Sequence, residues 1–311
     1  MAFGTYLAKR PIPNPLLDDL AKGEAAITPY VKINADSITL ITPRADMGQG
    51  AYSVQANLIA EELDIDPATA TITPGLPGPA YYNGAVLAEG VPFPAYDQSA
   101  VAEAMRSFMA VPAKLFQMQL TGGLSTVPDG YVKLRMAGAV ARETLKEAAA
   151  LRAGVTRSAL KTEDGHVILP NGDRLAYSDL ASEAALLDPI IDVALRDKSQ
   201  WKRLGQKMNR LDMQDKCTGA EKYGIDQSVE DIVHAAVRAN PGIGGDVASF
   251  DASAAEAMRG VQRVMPISHG IAVIADNTWR AWRAADAITI EWGPAPYPAS
   301  TDEIFAEIDV R

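Results

Sequence analysis

The sequence predicts an α+β protein of two domains, and three observations carry that prediction. At 311 residues the chain exceeds the roughly 100–200 residues of one ordinary domain. Stretches with apolar residues at helical spacing interleave with short β-branched runs in residues 29–200. The texture then changes after Cys217 to closely alternating short strands and helices. Apolar residues make up 48% and charged residues 22%, a balance that excludes wholesale disorder and supports a sizeable core.

Residues 1–28 read as an irregular, proline-containing N-terminal extension, with a short helix around Leu16–Lys22. Val31–Ile33 and Ile38–Thr42 flank Asn34-Ala35-Asp36-Ser37, the composition of a hairpin turn. A helix is expected over Ser53–Leu63, where Val54, Leu58, Ile59 and Leu63 approach helical spacing and Ser53 is placed to cap. Thr69–Thr73 has strand character. Residues 74–96, with five prolines, form a long loop of the kind that is functional or wraps a partner.

Residues 97–119 read as helical, and Gly122-Gly123-Leu124-Ser125-Thr126 leads into a strong helix over Pro128–Ala153. Small residues at Ala137–Ala141 would let another backbone come close. His166–Pro170 and Arg174–Tyr177 around Asn171-Gly172 predict a hairpin with a type I′ turn. Residues 187–215 read as the crossing between domains. Beyond it, the expected order is strand Ile232–Arg238, helix Ala252–Met258, strands Val261–Met265 and Ile271–Ala275, helix Trp279–Ala287 and strand Ile288–Trp292. Prolines 294, 296 and 298 then precede Ser300-Thr301-Asp302-Glu303, a helix start with acidic residues in the first turn.

The net charge of -10 disfavours a polyphosphate partner. The densest basic stretch, Lys202, Arg203, Lys207 and Arg210, is short and reads as a solvated linker face, so no nucleic acid is expected. One cysteine, Cys217, permits no internal disulfide and cannot hold an iron–sulfur cluster; it reads as a small buried or half-buried side chain. His166, His234 and His269 have no ligand partner at metal-binding spacing, so no protein-ligated metal is expected. No apolar run approaches the ~18 residues of a membrane span. Lys9-Arg10 is followed by prolines rather than an apolar stretch, so no signal peptide is visible.

Two glycine turns are candidate anion cradles. Gly48-Gln49-Gly50 lies between an expected strand and an expected helix, where open backbone and first-turn N–H groups favour negative charge. Gly122-Gly123 with Ser125 and Thr126 offers a second set of donors before a helix. Either turn taken alone is better explained by a simple change of chain direction. Pro241-Gly242-Ile243-Gly244-Gly245 reads as a plain loop. Neither the phosphate-loop pattern nor the dinucleotide fingerprint is met, since Ser53 stands where the third glycine belongs. The adjacent acids Glu61 and Glu62 read as a solvated helix face, and no catalytic triad spacing is visible.

Motif order adds a resemblance. Asp46-Met47-Gly48-Gln49-Gly50 followed by Ala60-Glu61-Glu62-Leu63-Asp64 is similar to a pattern in the large subunits of molybdenum hydroxylases, in the branch of isoquinoline oxidoreductase and membrane-associated aldehyde dehydrogenase. Ala80-Tyr81-Tyr82-Asn83, Thr121-Gly122-Gly123-Leu124-Ser125 and Leu134-Arg135-Met136-Ala137-Gly138-Ala139 with Ala141-Arg142-Glu143 resemble the segments next in that pattern. Asp215–Ala220, Tyr223–Asp226, Phe250-Asp251-Ala252, Gly260-Val261, Ala272–Asp276 and Trp279 continue in order, resembling that family's a/b hammerhead domain. Asp46 stands where the pattern has Glu, and Leu124 where it has Ser.

The resemblance implies a molybdopterin-binding α/β domain over 29–200, a hammerhead domain over 201–295, and over 296–311 the start of a linker helix leading to a C-terminal region outside this sequence. It implies a molybdenum cofactor held through the pterin, with Gly48, Gln49, Gly50, Gly122, Gly123, Ser125 and Thr126 as cofactor-binding residues. The implied reaction hydroxylates an N-heterocycle or oxidises an aldehyde with oxygen from water. The family's catalytic glutamate is expected beyond Arg311, so no catalytic residue is assigned in this chain. Implied partners are a small [2Fe–2S] subunit, the rest of the large subunit, and a cytochrome c-type electron acceptor. Localisation stays open: the resemblance implies a periplasmic or membrane-associated protein, whereas the chain as it stands, with no visible signal peptide, reads as cytoplasmic. The alternative is a catalytically incompetent binding or assembly module descended from that subunit.

Overall fold

The computed structural model describes residues 12–310, so residues 1–11 of the expected N-terminal extension, with the Lys9-Arg10 pair, lie outside the described residues. The fold mixes helix and sheet and divides into two compact units, with the boundary between Glu221 and Lys222. Each unit has its own apolar core.

In the first unit, strands β1 (Ala25–Thr28), β2 (Val31–Ile33), β3 (Ile38–Ile41) and β4 (Thr71–Thr73) form one sheet in that order. β1 is fully buried, so residues 25–28 are core and not irregular; only a single 3-10 turn at Pro15–Leu17 stands where a helix was expected. The β2–β3 hairpin has the expected turn, with the Asn34 carboxamide accepting from the Asp36 and Ser37 N–H groups at 2.9 and 2.7 Å. β3 and β4 are parallel and are joined through helix α1 (Ala51–Leu63). A parallel pair with a helical crossover places the turn after β3 at the carboxyl end of a strand, where open α/β units bind ligands.

Helix α2 (Ala85–Ala88) lies within the proline-rich loop and packs against helix α3 (Ala100–Leu115). Helix α4 (Thr126–Ala153) runs against α1. Their contact is close: a Cβ added at Gly138 would stand 2.2 Å from the Ile59 carbonyl oxygen. Only glycine permits that approach, as the small residues of this stretch led us to expect. Strands β5 (Lys161–Glu163), β6 (His166–Ile168) and β7 (Arg174–Ala176) form a second, antiparallel sheet. β5 was not expected.

The β6–β7 turn is not type I′. That turn requires positive φ at both central residues, whereas Gly172 has φ 92° and Asn171 is absent from the positive-φ residues. Pro170 fixes its own φ near −65° and directs the Leu169–Gly172 turn, closed by Gly172 N–H to Leu169 O at 2.9 Å. A one-turn helix α5 (Ala181–Ala184) comes next, and α6 (Met213–Thr218) ends the unit.

The paired acids correct the sequence reading most sharply. Glu61 and Glu62 are 1% and 0% exposed, not solvated. Glu62 lies between Arg135 and Arg142 of α4, with Arg135 Nη2 at 2.6 Å and Arg142 Nη1 at 3.2 Å. Glu61 accepts the backbone N–H groups of Lys202, Arg203 and Leu204 at 2.7–3.0 Å. Asp64 takes Arg196 at 2.8 Å and Lys202 at 2.7 Å. Burial opposes ionisation of Asp64, but hydrogen bonds from Lys202 and Arg196 outweigh it and hold its pKa below the usual range.

These contacts tie residues 196–204 to the first compact unit, which extends to Glu221. The basic stretch over 202–210 is largely exposed, as the solvated reading expects, with Lys202 and Lys207 both at the surface, while Lys202, Arg203 and Arg210 also reach acids: Asp64, Asp66 at 3.7 Å and Asp212 at 2.7 Å. Cys217 is exposed, not buried.

In the second unit, β8 (His234–Ala239), β10 (Val261–Ile267) and β11 (Gly270–Ala275) form a sheet in the order β10-β11-β8. Helix α8 (Thr278–Asp286) packs across it, burying Ala281, Ala284 and Ala285 against Val273 and Ala275. Strand β9 (Val247–Asp251), absent from the sequence reading, pairs with β12 (Thr289–Trp292). The short helix α7 (Ser253–Glu256) and the well-capped α9 (Thr301–Asp309) complete the unit. Among the described residues no helix is long and apolar enough to cross a membrane.

Candidate functional site

The chain leaves β3 through Thr42, Pro43 and Arg44, and Arg44 fixes the path of the segment beyond. Its guanidinium is buried and donates to the Tyr81 and Tyr82 carbonyls at 2.8 and 2.9 Å and to Asp129 at 2.7 Å. Its backbone N–H meets the Gln55 carboxamide at 3.0 Å. Arg44 thereby joins the end of β3 to α1, to the loop over 81–82 and to the first turn of α4.

The first glycine turn is built around Asp46. That carboxylate accepts the Gly48 N–H at 2.7 Å and the Tyr52 N–H at 3.0 Å. Burial raises the Asp46 pKa, yet these backbone bonds and the cations Lys216 and Arg210 lower it overall. Asp46 therefore stands at the start of α1 as that helix's own anion. Gln49 closes the loop on itself, donating to Ala45 O at 3.0 Å and accepting from Met47 N–H at 2.6 Å. Gly48 and Gly50 have φ of 105° and 88°, and nothing lies within 4 Å of a Cβ built on either. The helix begins at Ala51 with Gly50 as cap, not at Ser53, whose hydroxyl instead accepts the Leu211 N–H at 2.9 Å.

Arg210, Asp212 and Lys216 clamp this turn from outside. Arg210 donates to Gly48 O at 2.8 Å and lies 3.3 Å from Asp46. Hydrogen bonding from Arg210, with support from Lys216, holds Asp212 far below the usual carboxylate range. Their spacing in sequence gives no hint of this role.

In the second turn, Gly123 and Leu124 both adopt positive φ, 57° and 56°. That conformation is an outlier for a bulky side chain, and Leu124 is 95% exposed. Ser125 is fully buried; its hydroxyl donates to Gly122 O at 2.6 Å and accepts from the Asn83 carboxamide at 2.7 Å. Like Gln49, Ser125 holds its own turn in shape. No side chain caps α4, whose first turn begins at Thr126. Asp129 in that turn is held by Arg44 and by Lys133 at 2.8 Å.

The two turns meet. Thr121 Oγ1 accepts the Ala45 N–H at 2.9 Å across 76 residues of sequence. Beside that bond lies a cavity of about 380 Å³. Met47, Gln49, Ala51 and Val54 line it from the first turn and α1, and Thr121, Gly122, Leu124, Thr126 and Val127 from the second turn and α4. Of the residues singled out in the sequence, Gln49, Gly122 and Thr126 therefore line a shared cavity. Gly48, Gly50, Gly123 and Ser125 shape its two walls from behind. Recesses of about 570 and 620 Å³ on the same unit touch neither turn. Among the described residues no group of three or more His, Cys, Asp or Glu side chains is placed to hold a metal ion.

The cavity's chemistry is mixed. Its walls are largely apolar, while α4 brings an uncapped helix N-terminus, an anion-binding element. Asp46 and Glu89 oppose a free anion nearby; a Cβ on Gly123 would lie 3.0 Å from the Glu89 carboxylate. The arrangement suits a large ligand with a flat apolar body and one charged arm better than a small free anion.

No protein-family model matches the chain. It is 25% identical over 316 residues to the beta chain of isoquinoline 1-oxidoreductase from Brevundimonas diminuta, covering 89% of this chain and 37% of that protein. It is 26% identical over 281 residues to one subunit of the nicotinate dehydrogenase of Pseudomonas putida, covering 87% and 21%. A membrane-bound aldehyde dehydrogenase [pyrroloquinoline-quinone] of Gluconacetobacter polyoxogenes is 24% identical over 295 residues, covering 89% and 34%. The chain thus spans little more than a third, or less, of these relatives' length. The first and third carry the names that the motif resemblance led us to expect. Among solved structures it is similar to a Cu,Mo-CO dehydrogenase, with TM-score 0.25, 16% identity, and 31% and 16% of the two chains covered. For the aldehyde oxidoreductase of Desulfovibrio desulfuricans the values are 0.26, 19%, and 41% and 19%.

Proposed function

We propose that this chain, a sequence relative of the beta chain of isoquinoline 1-oxidoreductase and of membrane-bound aldehyde dehydrogenase, is the cofactor-binding part of a molybdenum-dependent oxidoreductase. The observation that carries the reading is the single cavity shared by two glycine turns far apart in sequence, each at the N-terminus of a long helix. In this reading the first unit is the molybdopterin-binding domain and the second the hammerhead domain.

The residues present fit such a group. Met47, Val54, Leu124 and Val127 would cover a flat heterocycle and exclude water from it. The open space over Gly48 and Gly50 lets a ligand approach the backbone. Thr126 and Val127, in the first turn of α4, carry the N–H groups for a phosphate arm. Asp46 and Gln49 keep the first turn rigid, and Asn83 and Ser125 do the same for the second. When bound, the molybdenum–pterin group supplies two-electron oxidation of a substrate carbon with oxygen from water. The substrate class is an N-heterocycle or an aldehyde, and electrons leave through a separate [2Fe–2S] subunit.

The name of the third relative points to a quinone instead, and one experiment separates the two. The chain is purified from cells expressing it with its neighbouring subunits, denatured, and assayed for released pterin, quinone and molybdenum. Near-equal pterin and molybdenum support the reading. Quinone alone overturns it, and a folded complex with neither group favours the assembly-module alternative.

A further inference from the structure

Helix α3 has two apolar faces, and the fold covers one. Ala102 and Ala113 are buried on the side facing α2, where a Cβ on Gly84 would meet Ala110 at 3.1 Å. Val101, Met105, Phe108, Leu115 and Phe116 form the other face, and all are exposed, Phe108 by 70% and Phe116 by 78%. At roughly 100° per residue these five positions fall within about 100° of arc, a continuous stripe. The neighbouring ions are already engaged: Arg106 pairs with Glu103 at 2.5 Å and donates to the Asp97 and Pro94 carbonyls at 2.7 and 2.8 Å. A contiguous exposed stripe of this kind marks an interaction surface.

We propose that this outer face of α3 docks the polypeptide making up the part of the large subunit that the present chain does not span. Only the identity of the occupant rests on the function proposed above. Three observations choose it. First, the relatives are about three to five times as long as the matched segment, since it covers 37%, 34% and 21% of them. Second, the chain that leaves α3 carries exposed Leu120 on its way into the second glycine turn, and Leu124, Met47 and Val127, which line the cavity, are exposed as well. A polypeptide that completes the cavity wall therefore passes the end of α3. Third, the face carries no unpaired charge. Permanent interfaces are apolar, whereas transient electron-transfer contacts are small and polar, so a redox partner fits this face poorly.

The test uses the full chain in its source cell, with a photoreactive phenylalanine analogue at position 108 and, as control, at exposed Asp173. Illumination is followed by peptide mapping of the adducts. An adduct at position 108, absent at 173, to a segment aligning with the unmatched part of the relatives is the expected result, whether that segment lies on this polypeptide or another. An adduct to a second copy of α3, or to a cysteine-rich iron–sulfur polypeptide, overturns the proposal, as does no adduct. In parallel, Met105→Glu with Phe108→Glu is expected to abolish co-purification of that segment while leaving the chain's own melting temperature unchanged. Retained co-purification also overturns it. Pterin release is measured on the same material. A chain with the expected adduct and no pterin retains the docking surface and loses the functional reading; pterin without the adduct does the reverse.

Discussion

Replacing Gly138 by alanine tests whether α1 and α4 touch backbone to backbone. On an exposed helix the change stabilises by about 1 kcal/mol, because alanine restricts the unfolded chain. Here the new Cβ would stand 2.2 Å from Ile59 O, and 3.1 Å from the Glu62 Cβ, where ordinary contact begins near 3.4 Å. The helices must therefore part locally by about 1 Å. The obstructing atom is a main-chain oxygen and cannot rotate aside. Overpacking of this kind costs roughly 1–3 kcal/mol or more. It also disturbs the Arg135–Glu62–Arg142 cluster, buried at the same contact. A net loss of about 2 kcal/mol corresponds to a melting temperature lower by roughly 4–8 °C for a unit of this size. Gly130→Ala is the control, since its Cβ meets side-chain atoms alone, the flexible end of Leu134 at 3.0 Å and Leu58 at 3.9 Å. Thermal unfolding followed by circular dichroism reads both variants. A Gly138→Ala protein as stable as the parent, or more so, would refute the close approach. Because the two helices carry the two turns, the variant should also retain less cofactor.

Glu61→Ala removes the acceptor of three N–H groups at residues 202–204, one buried and two part-buried. At roughly 1–3 kcal/mol per unpaired donor, trimmed by water penetration, the loss should be near 3 kcal/mol. Proteolysis should then cut between 196 and 210 first, and an unchanged cleavage pattern would count against the anchor. Ser125→Ala removes one of two bonds to Gly122 O, which keeps the Ser125 N–H, and one of two from the Asn83 amide, which keeps Leu120 O; it should lower stability by about 1 kcal/mol and weaken cofactor retention, and equal retention would show that the turn holds its shape without the hydroxyl. Asp46, Asp64 and Asp212 all have pKa values lowered by folding. Their stabilisation is fully present above the ordinary aspartate value near ~4 and is lost as pH falls through the lower folded values. Denaturant titrations from pH 7 to 2 should be flat down to about 4 and then decline; a decline beginning near pH 6 would contradict this assignment.

Much of the first unit is legible in residue order. Apolar spacing locates α1 and α4, and glycine before each helix locates the turns. The small residues around Gly138 signal the close approach. What is not legible depends on partners far away in sequence. Glu61 and Glu62 look like a solvated face because adjacent acids usually are. Their burial becomes tolerable only when Arg135 and Arg142, 73 and 80 residues onward, and the chain at 202–204 close around them. Gln49 and Ser125 look like ligand donors by residue type, yet Gln49 commits its hydrogen bonds to its own turn and Ser125 to Gly122 and the distant Asn83. The clamp of Arg210, Asp212 and Lys216 leaves no local signature, because it acts only after the chain returns to α1. β5 is hidden because its polar Lys161–Glu163 sequence gains strand geometry from pairing with β6.

Hydrogen exchange at the two turns, compared between cofactor-loaded and cofactor-depleted protein, tests the central claim most directly. If one ligand is gripped from both sides, amides over 45–55 and over 121–129 slow together on loading, Val127 among them. Protection confined to one turn, or slowing spread evenly over the first unit with neither turn distinguished, would contradict it.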